Sequence, residues 1–106
     1  MLPKKNRLTA NDFKRVGGAG PIRMFKGVYC VVKEFVGARV GPRFGVVISK
    51  KVDKRASERN RIRRIVYDFF RDNIAKFGGN DYYCILYPSV ANKTKEQLLG
   101  DIRQML

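Results

Sequence analysis

The densest chemistry in this sequence is cationic. Between Lys50 and Arg64, eight of fifteen side chains are basic and only Asp53 and Glu58 are acidic. Five of the eight are arginine, whose planar guanidinium suits bidentate contact with phosphate and stacking on bases. The order of charges also opposes the electrostatics of a helix. Backbone dipoles favour acids at a helix N-terminus and bases at its C-terminus, by roughly 0.3–1 kcal/mol per charge. Here Lys54, Arg55, Arg59, Arg61, Arg63 and Arg64 come first and Asp68 and Asp72 follow, with Glu58 alone obeying the rule. A phosphate from outside would resolve the conflict.

Periodicity of about 100° per residue places Asn60, Arg64, Tyr67 and Arg71 opposite the apolar stripe Ile62, Ile65, Val66 and Phe69. Arg61 and Arg63 flank them. The expectation is an exposed guanidinium ridge with an amide at its head, and Lys50 and Lys51 just before it.

Groups able to make or break bonds are missing. With no histidine, imidazole acid–base catalysis is excluded. The nine carboxylates are scattered, without the tight pairs that a two-metal nuclease needs. Cys30 and Cys84 lack Cys-x-x-Cys spacing for zinc and are expected to be buried free thiols. No glycine-rich phosphate loop followed by Lys-Ser or Lys-Thr is present. Any reaction this chain serves is expected to be carried out by a partner.

Aromatics interleaved with cations offer a second surface. Phe13, Tyr29 and Phe35, beside Lys33 or Arg43, are of the type that stacks on unpaired bases, at roughly 1–3 kcal/mol per base. Core packing competes with that role: it is the reading taken for Phe35, Phe44, Phe69 and Phe70, while Phe13 and Tyr29 stay open.

The charge distribution supports a polyanionic partner. The chain has 106 residues with 23 Lys and Arg against 9 acids, a formal charge of +14. Residues 1–64 carry 18 bases and 4 acids, whereas residues 65–106 carry five of each. Such self-repulsion is relieved by nucleic acid, where each neutralised phosphate releases counterions. A membrane surface fits less well, for want of a basic helix with an exposed apolar face or a lipidation motif. No apolar run is long enough for a transmembrane helix, and Met1 leads straight into Leu2-Pro3-Lys4-Lys5. A cytoplasmic protein is therefore expected.

The elements that must position these groups are legible from pattern. One domain is expected over 1–106, opened by an extended basic arm at 1–7. A short helix is predicted at 8–16, closed by Gly17–Pro21. Residues 28–36 (VYCVVKEFV) read as a strand with Tyr29, Val31, Lys33 and Phe35 on one face, preceded by a short strand at 22–26. A turn at 37–42 and a strand at 43–49 (RFGVVIS) follow. The longest helix is expected from about 54 to 76, stopping at Gly78-Gly79. A strand at 82–87 (YYCILY) follows, then a helix at 93–106 with Leu98, Leu99, Ile102, Met105 and Leu106 inward. The fold class is α/β (α+β), a two-layer sandwich in the order α-β-β-(β)-α-β-α on a mixed sheet.

Several segments resemble the bacterial ribonuclease P protein family. These are Lys4-Lys5-Asn6-Arg7-Leu8 with Asp12-Phe13 and Val16, then Arg43 through Lys51, then Asp81-Tyr82-Tyr83 through Pro88. The most specific is Arg59-Asn60-Arg61-Ile62-Arg63-Arg64, similar to the family's Arg-Asn-Arg helix and preceded by Ser49-Lys50-Lys51. Two departures are visible: Gly17 stands where the family usually has an aromatic, and VDKRASE at 52–58 is more polar and one residue longer than usual.

The resemblance implies a ribosomal-protein-like sandwich with a left-handed βαβ crossover. It implies a subunit of an RNA enzyme that uses Mg²⁺, bound mainly by the RNA, to remove the 5′ leader of precursor tRNA, the protein alone being inactive. Lys50, Lys51, Arg59, Asn60, Arg61, Arg63, Arg64 and Arg71 would then bind the catalytic RNA, one protein per RNA. Phe13, Val16, Tyr29 and Val31 would line a cleft for the leader. The alternative is a ribosomal or other structural RNA-binding protein without a role in cleavage.

Overall fold

A computed structural model describes residues 2–8, 20–37 and 41–106. Apart from Leu8, the predicted first helix, with Phe13 and Val16, lies outside these residues, as do most of the Gly17–Pro21 turn and residues 38–40 of the predicted 37–42 turn. Four strands form one sheet: β1 (Arg23–Lys26), β2 (Cys30–Phe35), β3 (Arg43–Val47) and β4 (Asp81–Leu86). Their order in space is β1-β2-β4-β3. The β1/β2 and β2/β4 pairs are antiparallel and the β3/β4 pair is parallel. Parallel neighbours need a crossover, and α1 (Ala56–Asp72) supplies it between β3 and β4. The second helix, α2 (Lys95–Met105), closes the described chain.

The two faces of the sheet differ. Cys30 and Val32 of β2, Phe44 of β3, and Tyr82, Cys84 and Leu86 of β4 join one core with Ile62, Val66 and Phe70 of α1 and Leu98 and Ile102 of α2. Phe44 is the centre of this layer, stacked 4.3 Å from Phe70 and edge-on to Phe77 at 5.1 Å. Both cysteines are free and buried, as expected. Contact between them, with burial, pushes the Cys84 thiol well up. The opposite face carries Val31, Lys33, Phe35, Tyr83 and Ile85 in register. Gly45 lies opposite Tyr83 on β3, where an added Cβ would come within 3.0 Å of the tyrosine ring.

Three expectations are corrected. Residues 2–7 are not an extended arm: Leu2 is buried in the core, Lys4–Asn6 form a 3-10 turn, and Arg7 bridges in parallel to Phe44 of β3. Leu2 is apolar enough to anchor it, which a count of basic residues hides. The long helix begins at Ala56 and ends at Asp72, with a separate 3-10 turn over Ile74–Lys76, so Lys54 lies before it and Arg55 is its N-cap. Leu106 is exposed rather than inward, because α2 ends one residue earlier.

Candidate nucleic-acid interface

Position on α1 divides its arginines into two kinds. The N-cap residue Arg55 makes no side-chain cap. Asp53 organises the turn instead: its Oδ1 accepts from the Arg55 backbone N–H at 2.9 Å while the carboxylate pairs with the Arg55 guanidinium. Those bonds from Arg55 hold the Asp53 carboxyl down at about 2. Arg59 reaches back over the same turn, its Nη1 donating to the carbonyls of Asp53 and Lys54 at 2.9 Å each. Arg61 pairs with Glu58, Nε to Oε1 at 2.8 Å, and also donates to the Lys93 carbonyl at 3.0 Å. It thereby ties α1 to the loop before α2. Arg59 and Arg61 thus spend much of their bonding capacity on the protein itself.

Arg63 and Arg64 do not. Arg63 donates to Asn60 Oδ1 at 2.6 Å, a neutral acceptor that orients the guanidinium without cancelling its charge. Arg64 is exposed and bonds no described residue. Lys50 and Lys51, in the exposed turn after β3, have no carboxylate partner either. Of the eight bases in Lys50–Arg64, only Arg55 and Arg61 have ion pairs among the described residues, which leaves six without one at one end of one helix. Arg71 lies in the last turn of α1, shared between Asp68 at 3.5 Å and Asp72 at 3.1 Å. It obeys the dipole rule and stands apart from the uncompensated group.

The expected ridge loses one member. Tyr67 is buried, not projecting to solvent opposite the core. Burial pushes its phenol up, against a hydrogen bond with the Val46 backbone and the nearby charges of Arg63 and Arg7. A tyrosine ring is wide enough to pack at the boundary of an apolar stripe, which a strict 100° wheel places outside. Arg7 and Arg63, 56 residues apart in sequence, thus both act on the Tyr67 phenol, which no motif signals.

Of the predicted cleft residues, Tyr29 and Val31 are described. They are not brought together as period two implies. Tyr29 precedes β2, packs against the core cluster, and carries Lys93 Nζ 5.8 Å from its ring centroid. Val31 is buried outside that cluster, on the far face of the sheet. Sequence reading missed what fixes Tyr29. The buried carboxylate of Asp101 on α2 accepts from the backbone N–H groups of Val28 at 2.7 Å and Tyr29 at 2.9 Å. Gly27 is required beside it, since a Cβ there would stand 2.5 Å from Asp101 Oδ2. Among the described residues, no group of three or more His, Cys, Asp or Glu could hold a metal ion. No helix of the described residues is long and apolar enough to cross a membrane.

A family model described as Ribonuclease P matches residues 2–106. The chain belongs to the ribonuclease P protein family. A ribonuclease P protein component from Pseudanabaena is 34% identical over 103 residues, covering 95% of this chain and 87% of the relative. One from Xanthomonas oryzae is 39% identical over 65 residues, covering 61% of this chain and 45% of the relative. The fold is similar to the ribonuclease P protein of Staphylococcus aureus, with a TM-score of 0.82 at 22% identity over 94% of this chain and 91% of that one. For the Thermotoga maritima protein the TM-score is 0.80 at 23% identity, with 94% of each chain covered. Membership makes this chain a protein component of ribonuclease P, the tRNA 5′-processing enzyme whose RNA supplies catalysis. The ribosomal alternative is not favoured.

Proposed function

We propose that the N-terminal half of α1 is the contact with ribonuclease P RNA, and that Lys50, Lys51, Arg63 and Arg64 meet its phosphates directly. The observation that carries this is the set of six cations without an ion pair among the described residues, at the helix end where the dipole least favours them. Asn60 aims Arg63, while Arg59 and Arg61 hold the turn and the neighbouring loop in place and present only their remaining N–H groups. Arg71, already shared by two carboxylates, is a peripheral contact. Cleavage uses Mg²⁺ that the RNA partner mainly holds.

The precursor's 5′ leader binds on the protein as a single strand, with Phe13, Val16, Tyr29 and Val31 as the candidate contacts. Support comes from residue type alone for Phe13, Val16 and Val31, and Val31 is buried on the other face of the sheet from Tyr29. In Tyr29 a half-buried ring beside Lys93 has the aromatic-plus-cation character of a stacking site. One protein serves one RNA, in the cytoplasm.

The test is cleavage of precursor tRNA at low Mg²⁺ by the protein alone, a cognate ribonuclease P RNA alone, and both together. The expected result is efficient cleavage only with both. Cleavage by protein alone would overturn the division of labour, and no gain from adding protein would overturn the assisting role.

A further inference from the structure

A cavity of about 410 Å³ opens between β1, the C-terminal end of α1 and the C-terminal end of α2, away from the basic turn of Lys50–Arg64. Its apolar wall includes Phe25, Phe77 and Leu106, and its rim carries Arg23, Lys76 and Arg103. Pockets of a few hundred Å³ with apolar walls and a few convergent polar groups are of the size that takes small ligands.

Three cations around a depression are unremarkable on a chain with 23 of them, so their setting decides. Residues 65–106 are charge-balanced, with five bases and five acids. Among those bases, Arg71 is held by Asp68 and Asp72, and Lys93 lies against Tyr29. Lys76, Lys95 and Arg103 have no ion pair among the described residues, and two of these three, Lys76 and Arg103, are at this cavity. The acids of the same stretch are elsewhere: Asp81 pairs with Arg43 and Asp101 holds the Val28–Tyr29 turn.

Glu34 is the acid at the cavity, and it is already satisfied. It is 2% exposed, with Oε1 accepting from Arg23 Nε at 3.0 Å and Oε2 accepting from Asn80 at 2.7 Å and Tyr82 at 3.0 Å. Arg23 is thereby fixed by Nε, with its guanidinium carbon 5.5 Å from the Phe25 ring centroid and its side chain 67% exposed. The cavity therefore joins partly buried aromatic surface to three outward charges, one of them pre-oriented. Aromatic plus cation is the chemistry that takes an unpaired nucleotide: the base stacks and the phosphate meets the guanidinium or ammonium.

We propose that this cavity receives one unpaired nucleotide of ribonuclease P RNA, its base against Phe25 and Phe77 and its phosphate among Arg23, Lys76 and Arg103. The inference rests on the reading that this chain binds that RNA. It adds a second contact, separate from the basic half of α1.

The test combines two readouts on the full chain and on Lys76→Gln/Arg103→Gln, both of whose substitutions are at exposed positions. In the first, adenosine 5′-monophosphate should shift the NMR resonances of the Phe25 and Phe77 rings, ribose 5-phosphate should shift them far less, and the double variant should lose the response. In the second, log K against log salt for ribonuclease P RNA should be shallower in the double variant by up to about 0.7, the loss of one phosphate contact on single-stranded nucleic acid. Equal shifts from ribose 5-phosphate would reduce the cavity to an anion patch and overturn the proposal. So would silent aromatic resonances, an unchanged slope, or a loss confined to precursor tRNA binding. Arg63→Ala/Arg64→Ala in parallel separates the two levels. If it too leaves the slope unchanged, the underlying RNA reading has failed; if it alone flattens the slope, only the cavity has.

Discussion

Charge is used in opposite ways at the two ends of this molecule. Around Lys50–Arg64, cations accumulate at an exposed helix start and six of them have no ion pair among the described residues. In the neutral remainder and on β2, the telling charges are buried carboxylates. Glu34 ties β2 to Arg23, Asn80 and Tyr82, and Asp101 ties α2 to the turn before β2. The first region loses little stability if a charge is removed and loses its partner. The second keeps its partner and loses its fold. Arg59 and Arg61 lie between these cases, since they belong to the basic segment but are bonded like structural residues.

The comparison breaks first at Asp101. Asp101→Ala leaves two part-buried backbone N–H groups without acceptors, where a fully buried orphan donor would cost about 1–3 kcal/mol. A loss of about 2–4 kcal/mol in urea unfolding is expected, and a change below about 0.5 kcal/mol would show that the turn does not depend on it. Glu34→Gln should come next, at about 1–3 kcal/mol, because a charged acceptor of three hydrogen bonds becomes a neutral amide.

Glu34 also gives a pH signature. Burial pushes its carboxyl up, but hydrogen bonds from Asn80, Tyr82 and Arg23 outweigh this and lower it below the ordinary 4.5. A lowered carboxyl stabilises the fold above its unfolded value and loses that contribution as pH falls through the folded one. Acid titration of stability between pH 5 and pH 2 should therefore be shallower in Glu34→Gln. Superimposable profiles would sink the assignment.

Arg61→Ala removes the Glu58 pair and the bond to the Lys93 carbonyl, and should cost about 1 kcal/mol. Arg64→Ala should change stability by less than about 0.5 kcal/mol while weakening RNA binding. If Arg61→Ala left stability intact and Arg64→Ala reduced it, the division of the arginines would be reversed.

What the sequence revealed follows from the range of each signal. Strands β2, β3 and β4 and both helices were legible, since alternation and 3.6-residue periodicity act within a few residues. The buried side chains Ile62, Ile65, Val66, Phe69 and Phe70 followed from the same pattern. Contacts across the fold were not legible. Asp101 meets residues 72 and 73 positions away, and as a lone carboxylate it resembles any surface acid. Tyr29 and Val31 were placed together by alternation, but the strand starts only at Cys30 and Tyr29 belongs to the turn. The Glu58–Arg61 pair had an i, i+3 signature, whereas the second bond of Arg61 to Lys93 had none. The basic segment was readable as a charge count, but not its division into arginines that hold the protein and arginines left for RNA.

That division is tested most directly by the salt dependence of binding to ribonuclease P RNA for the natural chain and for Arg63→Ala/Arg64→Ala. The account predicts a slope of log K against log salt shallower by about 1.4–1.8, the signature of two lost phosphate contacts. Parallel lines for the two proteins would mean that neither arginine meets a phosphate, and would contradict it.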